Sequence, residues 1–321
     1  MKIGTVGTGT IVATMLENLK HFPDFSCEAV YSRREATALN FARRFQVSKT
    51  YTDLDAMCQD PDIDCIYIAS PNSLHYTQAR KALSYGKHVL CEKPFTVHLS
   101  EARELVRLAG EKNLLLLETI TTVYHPNFAK VAELLPEIGD IQMIQGTFCQ
   151  YSGKYDAFLG GALPNVFNPD FAGGALMDIN LYNIYFVAAL LGKPHKLQYL
   201  AAKAFNGIDT HGILSMEYPG ILCTLTGAKD CSAENGIQII GTNGYMHITP
   251  SASFCQHLRL VCRNRPEQTY SFPESAWYYE LEQLTHILRT KDYERCRKQA
   301  ALSLEIVEIL ENARLSGGLP F

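Results

Sequence analysis

The chain has 321 residues, about twice a single-domain length, so two domains and a sizeable core are expected, and a small disulfide-stapled or disordered protein is excluded. Its composition, 47% apolar and 19% charged, is that of an ordinary soluble globular protein. Lys and Arg number 29 against 33 Asp and Glu, and the net charge of −4 offers no chain-wide field for a polyphosphate, which argues against a nucleic-acid partner.

From Met1 to about Thr121, short apolar runs alternate with segments of helical period. Residues 3–6 precede a helix-like 11–22, 27–31 precede 35–45, 63–69 precede 74–85, 88–91 precede 100–112, and 114–117 close the series. Apolar strands flanked by helices imply a parallel sheet covered on both faces, the pattern of a doubly wound Rossmann domain. Beyond Tyr124 the character changes. A helix is expected at 126–135 and a strand at 141–151, then an irregular stretch with Gly160, Gly161, Pro164, Pro169, Gly173 and Gly174, then an apolar helix at 175–191. Strand-like runs follow at 197–204, 212–218, 221–226, 237–240 and 258–262, several joined by turns such as Pro219-Gly220 and Thr242-Asn243-Gly244. Helices at 275–289 and 298–315 finish the chain, the second stopped by Gly317-Gly318.

The fold class is therefore α/β. A dinucleotide-binding Rossmann domain spans 1–121, and an α+β domain with a mostly antiparallel open sheet spans 122–321, its last helix free to pack back on the first domain. One face of that open sheet needs cover, which predicts a homo-oligomer, dimer or tetramer, through it. The amino terminus lacks the apolar stretch and cleavage site of a signal peptide. No apolar run is read as approaching the ~18 residues of a membrane span. The ten cysteines are scattered without a C-x-x-C pair and read as buried free thiols, so a cytoplasmic protein with no membrane partner is expected. Ten histidines and ten cysteines form no ligand-spaced cluster, so no metal is expected.

Gly7-Thr8-Gly9-Thr10-Ile11-Val12 stands where the first strand hands over to the first helix. The first glycine allows the tight turn, and the second lets a pyrophosphate approach the positive helix end. Val12 replaces the small third residue, which should hold helix and strand slightly farther apart. A carboxylate about 20 positions on would bind a ribose 2′-hydroxyl, whereas arginine accommodates a 2′-phosphate. Here stand Tyr31-Ser32-Arg33-Arg34, favouring NADP over NAD. The alternative is that the arginines are merely solvated and Glu28 or Glu35 serves the ribose.

Ser70-Pro71-Asn72-Ser73-Leu74-His75 and Glu92-Lys93-Pro94 lie at carboxyl ends of expected parallel strands, the edge where doubly wound sheets bind ligands. With the glycine turn, and with Gly173-Gly174-Ala175-Leu176-Met177-Asp178-Ile179-Asn180-Leu181-Tyr182, they resemble the glucose–fructose oxidoreductase, inositol dehydrogenase and MocA-like family of NAD(P)-dependent oxidoreductases along the whole chain. The resemblance implies that Ser70, Pro71, Asn72, His75 and Glu92 line the cofactor cleft and that Lys93 is catalytic. Asp178 and Tyr182, four apart on a helix, project from one face. Where many members carry histidine, Tyr182 resembles the branch of glucose–fructose oxidoreductase and the dimeric dihydrodiol dehydrogenases, commonly NADP-using.

The cofactor would carry the hydride, leaving one proton for the protein to handle. Tyr182 is expected to exchange it with the substrate oxygen, Lys93 to polarise that oxygen and lower the phenol's pKa, and Asp178 to orient substrate or lysine. Tyr124, His125, Phe158, Asn165 and Phe167 are substrate-side candidates. The expected partner is a small molecule, a sugar, polyol or related cyclic alcohol. A reductase or dehydrogenase of a non-sugar diol or carbonyl, and a non-catalytic NADP-sensing regulator, remain alternatives; the intact Lys93, Asp178 and Tyr182 argue against the regulator.

Overall fold

The computed structural model describes residues 1–321. They gather into two compact units, Met1–Thr119 with Glu280–Leu304, and Ile120–Tyr279 with Glu305–Phe321.

The first unit runs β1 (Lys2–Val6), α1 (Thr10–Leu19), β2 (Ser26–Tyr31), α2 (Glu35–Phe45), β3 (Lys49–Tyr51), α3 (Leu54–Gln59), β4 (Cys65–Ile68), α4 (His75–Ser84), β5 (His88–Glu92), α5 (Leu99–Glu111) and β6 (Leu116–Thr119). All six strands are parallel, in the order β3-β2-β1-β4-β5-β6. The winding reverses between β1 and β4, where carboxyl strand ends open a ligand crevice. Every residue of β4 and β6 is buried, as strands covered on both faces require. β3 and α3 escaped the sequence pattern. Lys49, Thr50 and Tyr51 show no apolar alternation, and this edge strand is fixed instead by Ser32 N–H donating to Tyr51 O at 3.1 Å and by Lys49 ion-paired to Asp60 and Asp62 at 2.7 Å each.

The second unit runs α6 (Pro126–Leu134), β7 (Ile141–Cys149), α7 (Tyr155–Leu159), a π-helical turn (Leu176–Asn180), α8 (Leu181–Leu191), β8 (Lys196–Lys203), β9 (Asp209–Tyr218), β10 (Ile221–Ala228), β11 (Gly236–Gly241), β12 (Gly244–Thr249), β13 (His257–Cys262) and β14 (Gln268–Ser271). Its sheet has the order β14-β13-β12-β11-β7-β10-β9-β8, antiparallel except where β7 meets β10. The alternation is plain in β9, which buries Leu214, Met216 and Tyr218 and exposes Ile213 and Ser215. β12 and β14 were not expected; they are short and rich in polar residues.

The π turn and α8 cover the buried face. Two glycines in the sheet let them lie close: a Cβ on Gly227 would come 2.6 Å from Asn180 Cβ, and one on Gly146 3.2 Å from Asn183 Cγ. One sequence reading is corrected here. The stretch Pro169–Leu191 is long and apolar enough to cross a membrane, but 72% of its apolar 18-residue window is buried inside the protein, because α8 fills the sheet's inner face.

Last come α9 (Ala276–Thr290) and α10 (Tyr293–Gly317). Most of α9 and the first half of α10 belong to the Rossmann unit, so no single cut near residue 121 divides the chain. Tyr293 Oη donates to Asn113 O at 3.0 Å, Cys296 Sγ to Leu116 O at 3.3 Å, and Arg289 pairs with Asp24 at 3.3 Å. After Leu304 the helix returns to the second unit, where Ser316 Oγ accepts from Tyr199 N–H at 2.9 Å.

Candidate active site

In the first unit the glycine turn is built as its sequence demands. Gly7 has φ +118°, and a Cβ there would lie 2.6 Å from Ala69 O, so no side chain fits. Gly9 is the N-cap of α1, no side chain caps that helix, and a Cβ on Gly9 would meet nothing within 4 Å. The first amides of α1 are thus left to an anion at the positive helix end, with open space before them. Thr8 is half-buried, and Thr10 and Ile11 are exposed around that space. Val12 is fully buried.

Arg33 and Arg34 follow β2 with exposed side chains and no carboxylate partner. Arg34 N–H donates to Ser32 Oγ at 3.4 Å. Glu28 is occupied within β2 by the hydroxyls of Ser26 at 2.7 Å and Ser48 at 3.3 Å, and Glu35 is exposed in the first turn of α2. These residues fit a dinucleotide with its pyrophosphate on the α1 amides and its adenosine ribose beside the arginines.

Two residues expected against the cofactor are internal braces. His75 is completely buried, with Nε2 2.9 Å from Ser70 O and Nδ1 2.9 Å from Pro94 O, so no ring nitrogen is left for a ligand. Burial lowers its pKa against the pull of the two carbonyls, which favour the charged ring, and the ring bridges the Ser70–Pro71–Asn72 loop and the Glu92–Lys93–Pro94 loop. Glu92 is buried as well; it accepts from Tyr67 Oη at 2.7 Å and from Lys93 N–H at 3.2 Å, and burial raises its pKa. Ser70 Oγ donates to Gln78 Oε1 at 2.7 Å, while Pro71, Asn72 and Lys93 are half-buried.

In the second unit the structure supplies a residue that the sequence reading missed. β10 points Cys223, Leu225 and Gly227 inward, and the same period of two carries Lys229 inward just past its end. Lys229 is only 7% exposed, and its ammonium pairs with the Asp178 carboxylate. A lone lysine in inward register needs a counter-charge, and that was the available signal. Asp178 lies in the π turn; Tyr182 follows in the first turn of α8, packed on Phe148, Ala175 and Ile179 with its ring 5.8 Å from that of Phe148. The wider turn replaces the regular helix expected there, and π turns recur at functional sites. Asn180 and Asn183 anchor it to the sheet, donating to Leu225 O at 3.0 Å and Thr226 O at 3.2 Å.

Four expected substrate contacts are core residues. Phe158 and Phe167 have no exposed surface and stack at 4.8 Å, because the long loop carrying them builds a cluster of its own with Ile208. His125 caps α6 by accepting from Asn127 N–H at 3.1 Å; its ring packs edge-on against Tyr279 and Phe272, and burial lowers its pKa to about 4. Tyr124 is buried beside it, and only Asn165 is exposed. No group of three His, Cys, Asp or Glu side chains is placed to hold a metal ion.

Residues 1–120 match the oxidoreductase family with an NAD-binding Rossmann fold, and residues 128–247 match the Gfo/Idh/MocA C-terminal domain. The scyllo-inositol 2-dehydrogenase (NADP(+)) IolU of Bacillus subtilis is 31% identical over 325 residues, spanning 100% of this chain and 98% of that protein. The trans-1,2-dihydrobenzene-1,2-diol dehydrogenase of Sus scrofa is 26% identical, again across 100% and 98%. Among solved structures, KijD10, a 3-ketoreductase from Actinomadura kijaniata in complex with NADP and TDP-benzene, shares the fold with a TM-score of 0.84 at 23% identity, over 98% of this chain and 97% of that one.

Proposed function

The chain belongs to the Gfo/Idh/MocA family of NAD(P)-dependent oxidoreductases, and from that premise we propose that it moves hydride between NADP and a ring carbon of a cyclic polyol or sugar. The observation that carries the reading is the Asp178–Lys229 ion pair, with Tyr182 following on the same run of helix. The Lys229 ammonium offsets the charge of Asp178, which suits that carboxylate to accept a hydrogen bond from a substrate hydroxyl more than to take its proton. Tyr182 is then the proton-exchanging group, and Lys93 polarises the oxygen on the reacting carbon. Bound NADP supplies the hydride acceptor; the protein binds, orients and handles one proton. The unpaired Arg33 and Arg34, with Glu28 occupied by serines, support NADP over NAD. IolU, named for scyllo-inositol and NADP, supports both the cofactor and the substrate class.

The test is NADPH formation across a panel of inositols, aldoses and cyclic diols, with NAD in parallel. Turnover of a cyclic polyol or sugar with NADP preferred is expected. Preference for NAD would overturn the role of Arg33 and Arg34, and tight NADP binding with no turnover of any panel member would overturn the substrate class.

The outer face of the second sheet exposes Met143, Leu200, Ile213 and Leu222, with exposures of 40%, 61%, 44% and 59%. Two exposed apolar cross-strand pairs on an open sheet, Met143 with Leu222 and Leu200 with Ile213, support association through that face into a dimer or tetramer. Light scattering showing a monomer at micromolar concentration would rule this out. The ten cysteines, all free, fit a protein of the reducing cytoplasm.

A further inference from the structure

We propose that Asp209 is the positioning residue of the reacting helix, its carboxylate seating the first amide of the π turn and thereby fixing where Asp178 and Tyr182 point. The inference rests on the reading of those two residues as the reacting groups.

Helix-end amides need an acceptor, normally a nearby Ser, Thr, Asp or Asn. The chain entering the π turn is Gly173-Gly174-Ala175, and none of its side chains provides one. The acceptor comes from the sheet. Asp209 opens β9 with no exposed surface, and its Oδ2 accepts from Leu176 N–H at 2.7 Å and from Tyr199 Oη at 2.7 Å.

Two further features hold it there. Gly174 has φ +98°, and a Cβ on it would overlap Asp209 Oδ1, so this glycine is what admits the carboxylate. Tyr199 is pressed against Gly212, where a Cβ would collide with its hydroxyl, and its own N–H is taken by Ser316. The carboxylate therefore has one place to sit. Next to it, Lys229 N–H donates to Thr210 O at 2.8 Å, so the strand that carries Asp209 also fixes the backbone of Asp178's partner. Asp209 thus holds the Asp178 end of the pair through Leu176, while its neighbour Thr210 holds the Lys229 end.

Removing the acceptor frees Leu176 and lets the π turn relax toward a regular helix, which rotates Asp178 away from Lys229. The variants are D209A, D209N, Y199F and G174A, each measured for kcat, substrate KM, NADP affinity and amide exchange of the peptide containing Leu176. D209A is expected to keep NADP affinity, lose about 100-fold in kcat and lose about tenfold in Leu176 protection. D209N retains an acceptor oxygen for both donors and is expected to rescue both readouts. Y199F removes one of the two features that hold the carboxylate and leaves the acceptor itself, so it should lower kcat and Leu176 protection together and by less than D209A does; a merely structural carboxylate would make turnover track Tm in every variant. G174A pushes on Oδ1 while leaving the charge in place, and it should resemble D209A at Leu176, which keeps the proposal testable if D209A does not fold.

Parent-like kcat or unchanged Leu176 exchange in D209A, or a D209N as impaired as D209A, overturns the proposal. Y182F separates it from the reading beneath. Turnover lost in Y182F but kept in D209A ends this proposal alone, whereas turnover surviving in Y182F ends the reading and leaves the exchange result to judge Asp209 as the seat of the turn.

Discussion

Two helices of this protein begin after glycines, and their first amides meet different fates. At α1, Gly7 and Gly9 leave the helix end uncapped with open space before it. At the π turn, Gly173 and Gly174 bring the chain so close to the sheet that the Asp209 carboxylate takes the Leu176 amide. The first arrangement offers positive potential to an anion from outside, and the second uses it internally to hold side chains. Glycines before a helix therefore mark close approach, and what approaches is decided by the neighbouring strand.

The most damaging way to break that comparison is G7A. A methyl group there meets Ala69 O in a backbone region that L residues avoid, so NADP affinity should fall by about 100-fold or more, as read by fluorescence titration; retained affinity would mean that the turn does not carry the pyrophosphate. K229M attacks the other helix. It leaves Asp178 without its ammonium; because Asp178 is about a third exposed, the stability cost should be about 1–3 kcal/mol, with turnover falling about 100-fold and NADP affinity unchanged. A K229M enzyme with parent-like kcat would remove Lys229 from the site.

A smaller effect sharpens the cofactor side. R33A with R34A should raise the NADP KM about ten- to a hundredfold and leave that for NAD nearly alone; equal changes for both cofactors would place the arginines away from the 2′-phosphate.

The last effect falls on stability and not on turnover: the pKa of His125 is lowered from 6.5 to about 4 by burial. Over that interval the unfolded chain binds a proton that the folded protein refuses, so this histidine's contribution declines as pH drops below 6.5 and levels off below about 4. At about 1.4 kcal/mol per pH unit the loss approaches ~3 kcal/mol. H125N keeps a capping oxygen without the titration, and urea unfolding at pH 7 and pH 4.5 should show a flatter slope for it. Identical slopes would mean that the cap is not the titrating element.

The first unit was legible because its signals are local. Apolar runs buried on both faces announced the parallel strands, and Gly7 and Gly9 announced the tight turn into α1. Only β3 and α3 escaped, since the edge strand is held by its ladder to β2 and by ion pairs and has no apolar pattern. In the second unit the candidate motif, Asp178 and Tyr182, could be picked out of the sequence, and the residues that hold it could not. Lys229 and Asp209 lie 51 and 33 residues from the groups they hold, on different strands of a sheet whose register no local pattern specifies. Aromatic residues misled for the opposite reason. Phe158 and Phe167 stand among glycines and prolines in sequence, where they suggested substrate contacts, but a long loop needs a core of its own and they form it, while His125 is used to cap α6.

The central claim is that the Asp178–Tyr182 helix carries the chemistry while the Rossmann unit binds the cofactor. Turnover of Y182F, measured beside its NADP affinity, tests it most directly. General acid–base exchange by the phenol predicts a fall of about 10³-fold or more in kcat with NADP affinity unchanged; turnover close to that of the parent would contradict it.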